Sequence, residues 1–331
     1  MPEVRENWLK LTPEKALEPE IQICDPHHHL WYRAENPYRV EDLIQDISGG
    51  HHVTRTVFVE SRMMLREQGP EEMKPVGETE YVQAVVSRSN PGSQTDVAAG
   101  IVGFADLTLG QAVTPVLEVH IAAARGRFRG IRQTAAMDPS GEIKSRQFVP
   151  AGLLLDSQFR QGFACLKQFN LSFDAWLFHP QLADLADLAK SFPDTVIVMD
   201  HAGGPLGVGH YAGKRELALQ EWKQSTAILA GYPNIYVKLG GLGMEINGFH
   251  WSDYPAPPSS AEMARAYAPY FLHCIDTFGV SRCMFESNFP VDKWSCSYNV
   301  VWNAFKRITA GFSLDERKAL FYDTACRVYR I

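Results

Sequence analysis

The feature that most restricts the fold is a regular alternation of short apolar runs with longer amphipathic stretches. Eight runs have the β-branched and aromatic composition of strands, and stretches with helical spacing separate them. These runs are residues 21–25, 53–60, 97–107, 128–133, 171–178, 195–201, 235–239 and 283–288. Strict strand–helix alternation predicts a parallel sheet, because parallel neighbours need a crossover connection that is usually a helix.

Eight such units in a chain of 331 residues predict an α/β fold of the (β/α)8 TIM barrel type. The alternative is an open doubly wound sheet, which usually carries a glycine-rich phosphate-binding turn after its first strand. Histidines occupy that turn here, so the barrel is favoured. We expect residues 21–331 to form a single barrel domain and residues 1–20 to form an N-terminal arm.

The histidine cluster after the first run is the strongest candidate for chemistry. Side chains alternate along a strand, so His27 and His29 point the same way and His28 points the other way. Two imidazoles at the end of a strand can chelate one divalent cation, for which zinc is our expectation. The alternative is a set of three polar loop histidines without a metal.

Composition excludes several classes of protein. The formal net charge of −6 does not favour nucleic acid or an anionic membrane as a partner. No apolar run approaches the roughly 18 residues that span a bilayer. The six cysteines are scattered without CxxC spacing, which favours free thiols in a reducing cytoplasm. We therefore expect a cytoplasmic protein with a small-molecule ligand, and a homo-oligomer stays open.

Polar residues cluster at the predicted strand ends. In a barrel these ends converge on one face, where active sites form. Each member has a structural alternative, such as a helix cap or a satisfied core lysine, but their convergence indicates a site. The candidates are His27, His29, Glu60, Asp106, Arg132, His179, His201, Lys238, Glu286 and Asn288.

From residue 21 onward the chain resembles the amidohydrolase superfamily, in the amidohydrolase-2 branch that contains sugar-lactone and pyrone-dicarboxylate lactonases. Five motifs in order carry the resemblance. They are DPHHHLW (25–31), FRGIR (128–132), MDHAGGP (199–205), VKLGG (237–241) and CMFESNFPV (283–291). The resemblance implies a barrel in which His27 and His29 bind metal, and in which His201 binds metal or polarises the substrate.

One position departs from the family's pattern. The family's eighth strand normally ends in an aspartate that takes a proton from the attacking water, and Asn288 stands in its place. A neutral amide cannot act as a general base near neutral pH. Glu286, Asp292, His179 and His201 are the alternative catalytic candidates, and the family also includes members that work without a metal.

Residues for substrate binding follow from their positions in the predicted barrel. Arg132 can pair bidentately with a substrate carboxylate, and Lys238 and Glu60 lie at neighbouring strand ends. The aromatic residues Trp251 and Tyr254, in a proline-rich loop, can cover a flat substrate or simply pack within the loop.

Three functions compete at this point. The first is a hydrolase that opens a lactone or related ester of an anionic, aromatic-derived substrate. The second is a metal-dependent non-oxidative decarboxylase of an aromatic acid, since the same branch contains such enzymes. The third is a barrel that binds a ligand without turnover, because the usual base is missing.

Overall fold

The computed structural model describes residues 5–33, 36–89, 94–143 and 148–331. Eight parallel strands lie in sequence order in one sheet. They are β1 (Gln22–His28), β2 (His52–Val59), β3 (Asp96–Gly103), β4 (Phe128–Arg132), β5 (Ser172–Ala175), β6 (Ile197–Met199), β7 (Ile235–Leu239) and β8 (Cys283–Phe285). The predicted (β/α)8 barrel is therefore confirmed.

The sheet is closed by the segment that follows β8. His29 N donates to Phe289 O at 2.8 Å, and Asn288 N donates to His27 O at 3.0 Å. These bonds connect the end of β1 to the chain beyond β8, so the eight strands form a nearly closed barrel. The histidine-bearing end of β1 thus lies beside the asparagine that departs from the family pattern.

Helices surround the sheet in the order that the alternation predicts. They are α1 (Glu6–Leu9), α2 (Val40–Ile47), α3 (Val76–Ser89), α4 (Thr114–Ala123), α5 (Ser157–Cys165), α6 (Leu182–Ser191), α7 (Arg215–Ala230), α8 (Ser260–Phe278), α9 (Tyr298–Ile308), α10 (Leu314–Lys318) and α11 (Thr324–Tyr329). No helix within the described ranges is long and apolar enough to cross a membrane.

Several helix starts follow directly from sequence. Ser259 and Glu262 form a capping box at α8, in which Ser259 N donates to Glu262 Oε2 at 2.8 Å. Asp156 accepts from Phe159 N at 2.8 Å and caps α5. Each side chain satisfies a backbone donor that the first helical turn leaves unpaired, so these residues fix where the helices begin.

The barrel floor is the N-terminal end of the strands, closed by α11. Inward-facing Val57 and Met284 pack in one cluster with Ala325 and Val328 of this helix. The following Arg330 donates through Nη2 to Arg129 O at 3.1 Å, near the start of β4. The last helix, α11, therefore covers the N-terminal ends of the barrel strands.

Some strands end earlier than predicted. β8 ends at Phe285, and Asn288 adopts a φ of 55° in the left-handed region. β6 ends at Met199, and His201 has a φ of 53° in the turn that follows. The predicted eighth run, 283–288, is therefore a regular strand only as far as Phe285, and both Glu286 and Asn288 lie beyond it.

Candidate active site

Three histidines from two strand ends meet at the C-terminal mouth of the barrel. His27 and His29 come from the end of β1, and His201 comes from the turn after β6. The Nε2 atoms of His27 and His29 lie 3.3 Å apart, and the ring centroids of His27 and His201 are 4.6 Å apart. All three side chains are buried, whereas His28 points away and contacts Thr56 Oγ1 at 2.9 Å. The predicted alternation of these histidines is therefore observed.

The other ring nitrogens of these histidines have oxygen partners. His29 Nδ1 lies 2.8 Å from Val59 O, and a carbonyl oxygen can only accept, so this nitrogen carries the proton. Glu286 lies between the other two rings: its Oε2 is 2.7 Å from His27 Nδ1 and its Oε1 is 2.7 Å from His201 Nδ1. This arrangement favours the tautomers whose Nε2 atoms present unshared pairs.

Glu286 is ionised by its surroundings. Burial opposes the charged form, but the neighbouring His201 and His27 outweigh it and lower the pKa of Glu286 to about 2. Its Oε1 also accepts from His201 N at 3.1 Å, which holds the turn after β6 against the end of β8. Glu286 is thus an orienting anion for two imidazoles.

Two glycines leave space for this pair. A Cβ on Gly241 would stand 2.4 Å from His201 Nδ1, and one on Gly240 would stand 2.3 Å from Glu286 Cγ. Gly241 also has a φ of 69°, which side-chain-bearing residues rarely adopt. The two glycines of the VKLGG motif therefore leave the space that the contact between His201 and Glu286 needs.

Below the imidazoles lies a buried lysine with two carboxylate partners. Lys238 Nζ is 2.6 Å from Asp174 Oδ2, 3.1 Å from Asp200 Oδ1 and 3.2 Å from His27 Nδ1. Tyr329 of α11 donates its hydroxyl to Asp174 Oδ2 at 2.7 Å. Burial lowers the pKa of Lys238, but Asp174 and Asp200 outweigh burial and the net shift is upward. Lys238 is therefore held as a cation at the base of the site.

Arg132 is also fully engaged. Its Nε donates to Glu60 Oε1 at 2.7 Å, its Nη2 to Glu60 O at 2.6 Å, and its Nη1 to His27 Nε2 at 3.2 Å. Each of its three nitrogens therefore has a partner, either Glu60 directly after β2 or His27 of β1.

Buried carboxylates outnumber buried cations around this mouth. Neither oxygen of Asp200 accepts a well-directed hydrogen bond from the described residues, although both are inaccessible. Uncompensated buried negative charge is costly unless a cation joins it. The carboxylates are Glu60, Asp174, Asp200 and Glu286, against the cations Arg132 and Lys238.

These features fit a divalent cation. Two nitrogens bound to one tetrahedral zinc at about 2.0–2.1 Å are about 3.4 Å apart, close to the observed His27–His29 spacing. His27, His201 and Glu286 also bring possible ligand atoms within 4.8 Å of one another. A carbonyl or carboxylate behind a ligating imidazole is the usual outer support of a metal site.

A second carboxylate lies beyond β8 in a different environment. Asp292 accepts from Asn288 Nδ2 at 2.9 Å through Oδ1 and from Gly243 N at 3.1 Å through Oδ2. Burial raises the pKa of Asp292 to about 7. Asn288 thus directs its amide group at Asp292 and not at Glu286.

The structure separates the remaining candidates. His179 is buried at the mouth, accepts from Leu206 N at 3.1 Å through Nδ1, and finds no partner for Nε2 among the described residues. Trp251 and Tyr254 instead lie beside the N-terminal arm, where Trp8 Nε1 donates to Tyr254 O at 2.9 Å. Asp106 caps the turn after β3 by accepting from Thr108 N at 3.0 Å.

Sequence reasoning missed several residues of the site. Asp174 is a charged residue within an apolar strand, and Asp200 directly precedes a predicted site histidine, so both carried a signal. Trp176, whose ring meets His201 edge-on at a centroid distance of 4.8 Å, follows the same strand as Asp174. Tyr329 carried none, because only the packing of α11 brings it to Asp174.

Comparison with known proteins agrees with this geometry. A family model described as "Amidohydrolase" matches residues 24–331. An uncharacterized protein, y4mH of Sinorhizobium fredii, is 33% identical over 327 residues, which cover 94% of this chain and 99% of that protein. A Burkholderia multivorans protein named L-fucono-1,5-lactonase is 28% identical, with 93% of this chain and 95% of that protein covered.

Among solved structures, an amidohydrolase from Burkholderia multivorans with bound zinc shares the fold. Its TM-score is 0.72 at 24% identity, with 94% of this chain and 99% of that chain covered. At this identity the likeness concerns the barrel, and the zinc belongs to that protein.

Proposed function

Because this chain belongs to the amidohydrolase family and is a hydrolase, we propose that it opens the cyclic ester of a lactone. The observation that carries the proposal is the meeting of three buried imidazoles whose Nδ1 atoms are engaged by Val59 O and Glu286. This arrangement makes the Nε2 electron pairs the ones available to a bound ion at the barrel mouth. At His27 such an ion would replace the hydrogen bond from Arg132 Nη1. The relative named L-fucono-1,5-lactonase supports a lactone as substrate.

We assign His27, His29 and His201 as the residues that hold a divalent ion, which we propose to be zinc. Such an ion supplies Lewis acidity that polarises the ester carbonyl. Glu286 and Val59 O keep the three rings in the required tautomer and orientation. The positive charges of Arg132 and Lys238 partly neutralise the buried carboxylates beneath the imidazole rings.

We assign Asp292 as the general base. Its pKa of about 7 matches the task of accepting a proton near neutral pH, whereas the pKa of Glu286 is too low for efficient transfer. Asp292 takes a proton from water as the oxygen attacks the carbonyl carbon, and returns it to the ring oxygen when the carbon–oxygen bond breaks. Asn288 positions this carboxylate through its Nδ2 hydrogen bond.

The substrate that we propose is an uncharged lactone. Glu60 accepts from Arg132 Nε and Nη2, and Asp200 Oδ2 lies 3.7 Å from its Nη1. Asp174 and Asp200 pair with the ammonium of Lys238, so neither cation presents a free charge to a substrate carboxylate. The Nε2–H of His179 has no partner among the described residues and is suited to bind a substrate oxygen. Roles for Glu60, Trp251 and Tyr254 at the substrate stay predictions.

The deciding experiment is a proton-release assay on a panel of lactones with the zinc-loaded protein. We expect an uncharged sugar lactone, such as L-fucono-1,5-lactone, to give a kcat/KM at least about a hundredfold above that of an anionic pyrone lactone. A preference for the anionic lactone contradicts the assignment of Arg132 and Lys238. Carbon dioxide release from an aromatic acid, with no lactone opened, overturns the proposal in favour of a decarboxylase.

A further inference from the structure

Two cysteines meet at the barrel floor, far from the imidazoles at the mouth. Cys24 lies on β1 and is 1% exposed, whereas Cys326 lies on α11 and is partly exposed. Cys24 belongs to the buried cluster of the floor against which Cys326 packs, and Cys24 is the register partner of Arg55 on β2. The pair therefore joins the first strand of the barrel to the helix that closes it.

Cys326 is surrounded by groups that stabilise a thiolate. Arg55 of β2 donates from Nη1 to Cys326 Sγ at 3.6 Å, and the neighbouring Tyr322 side chain also lowers the pKa of this thiol. The hydrogen bond from Cys24 is the largest of these effects, and together they lower the pKa of Cys326 to about 6 despite burial. A partly exposed thiolate beside an arginine is the setting of reactive cysteines.

A second cysteine pair in the chain provides a contrast. Cys274 and Cys283 are neighbours, and Cys283 Sγ lies 3.6 Å from Cys274 O. Both are fully buried, and burial raises the pKa of each thiol above its usual range. Both pairs are neighbours in the fold, but only Cys326 is partly exposed and has an arginine as a hydrogen-bond donor.

We propose that Cys326 and Cys24 are a reversible redox pair that a hydroperoxide oxidises to a disulfide. The Cys326 thiolate attacks one peroxide oxygen, the sulfur–oxygen bond forms, the oxygen–oxygen bond breaks, and the leaving oxide takes up a proton. The Cys24 sulfur then attacks the resulting sulfenic acid: the disulfide forms, and water leaves with the Cys24 proton. An external dithiol reverses the reaction by exchange.

The disulfide would link two segments that are distant in sequence. β1 carries His27 and His29 at its other end, and α11 carries Tyr329, which contacts Asp174. A cross-link between residues so far apart in the chain constrains the unfolded state strongly. We therefore expect the oxidised protein to unfold at a temperature about 5 °C or more above that of the reduced protein.

The test is stoichiometric hydrogen peroxide on the folded, full-length protein, followed by peptide mass spectrometry without reductant. We expect one Cys24–Cys326 cross-linked peptide, the mass loss of two hydrogen atoms, and full reversal by dithiothreitol. Cys24→Ser should instead trap a sulfenic acid at Cys326 that reacts with dimedone. Cys274→Ser is the matched control and should leave the Cys24–Cys326 cross-link unchanged.

A measurement on the unmodified protein gives an independent test. Iodoacetamide should alkylate Cys326 at pH 7 at least about tenfold faster than Cys274 or Cys283, with a rate midpoint near the pKa of about 6. Equal alkylation of all three, or oxidation of Cys326 to a sulfinic acid with no disulfide in the native chain, overturns the proposal.

Discussion

The two carboxylates on either side of Asn288 show how one loop sets opposite protonation behaviour. Glu286 lies between His27 and His201, and its interactions and hydrogen bonds with them outweigh burial and lower its pKa to about 2. Asp292 accepts hydrogen bonds from Asn288 and Gly243, and burial outweighs these bonds and the nearby His201, so its pKa rises to about 7. Both side chains are inaccessible. Burial alone therefore does not decide a pKa, and the charge of the nearest partner does.

This difference gives the two sides of the mouth different proposed tasks. An anion that stays charged at all ordinary pH values can hold imidazoles in place but accepts a proton poorly. A carboxylate that titrates near neutral pH can accept and return one. The predictions below test this division, from the largest expected effect to the smallest.

The largest effect is expected from Asp292→Asn. Removing the proposed base should lower kcat at least about a hundredfold, because general-base catalysis contributes about 10²–10⁴-fold. Zinc affinity, measured by titration calorimetry, should stay within about threefold of the native value. Near-native kcat in this variant would mean that the base lies elsewhere, and His179 and His201 would then be the leading candidates.

Glu286→Gln should affect the other half of the comparison. The amide of glutamine cannot accept a hydrogen bond from both His27 Nδ1 and His201 Nδ1 as the carboxylate does. Zinc affinity should therefore fall by about 10–100-fold, as expected when an outer support of a metal site is lost. Glu286→Asp keeps the charge and is the matched control. If zinc affinity is unchanged while kcat falls as far as in Asp292→Asn, the two assignments must be exchanged.

Asn288→Asp should have a smaller effect that depends on pH. In the native protein Asn288 Nδ2 lies 2.9 Å from Asp292 Oδ1. A carboxylate in place of this amide would bring two like charges together and raise the pKa of Asp292 further. The pH midpoint of kcat/KM should therefore move upward, with about a tenfold loss at pH 7 that recovers in more alkaline buffer. An unchanged midpoint would argue that Asp292 does not control the profile.

The smallest effect concerns stability. With a pKa near 7 in the folded state and an ordinary value of 3.8 when unfolded, Asp292 binds more protons in the folded protein between these pH values. Its contribution to the free energy of unfolding therefore falls as pH rises from about 4 to 7. Urea unfolding should show Asp292→Asn gaining stability relative to the native protein across this window. If Asp292→Asn shows no such gain in stability, the raised pKa of Asp292 is contradicted.

Strand order and the convergence of the imidazoles were predictable from sequence, because apolar periodicity and strand ends are local signals. The contact of Glu286 with both His27 and His201 was not, since it depends on where β8 ends and on the left-handed turn at Asn288. Sequence made Glu286 a catalytic candidate and Lys238 a substrate-binding one, and the structure pairs Lys238 with Asp174 and Asp200.

Other predictions depend on information that the sequence did not contain. Arg132 was predicted to bind a substrate carboxylate, because sequence cannot show that Glu60 already accepts its hydrogen bonds. The division into an arm at 1–20 and a barrel at 21–331 stays a prediction, and residues 1–4 lie outside the described residues. A homo-oligomer and a cytoplasmic location likewise stay predictions.

The hydrogen bond between Tyr329 and Asp174 has a consequence for how the protein is made. These residues are 155 positions apart, and synthesis proceeds from the N-terminus. Every strand leaves the ribosome before Tyr329 does, so a nascent barrel exposes an open floor and an Asp174 that lacks this donor. The charge network beneath the imidazoles is therefore complete only after α11 has been translated and has packed against the floor.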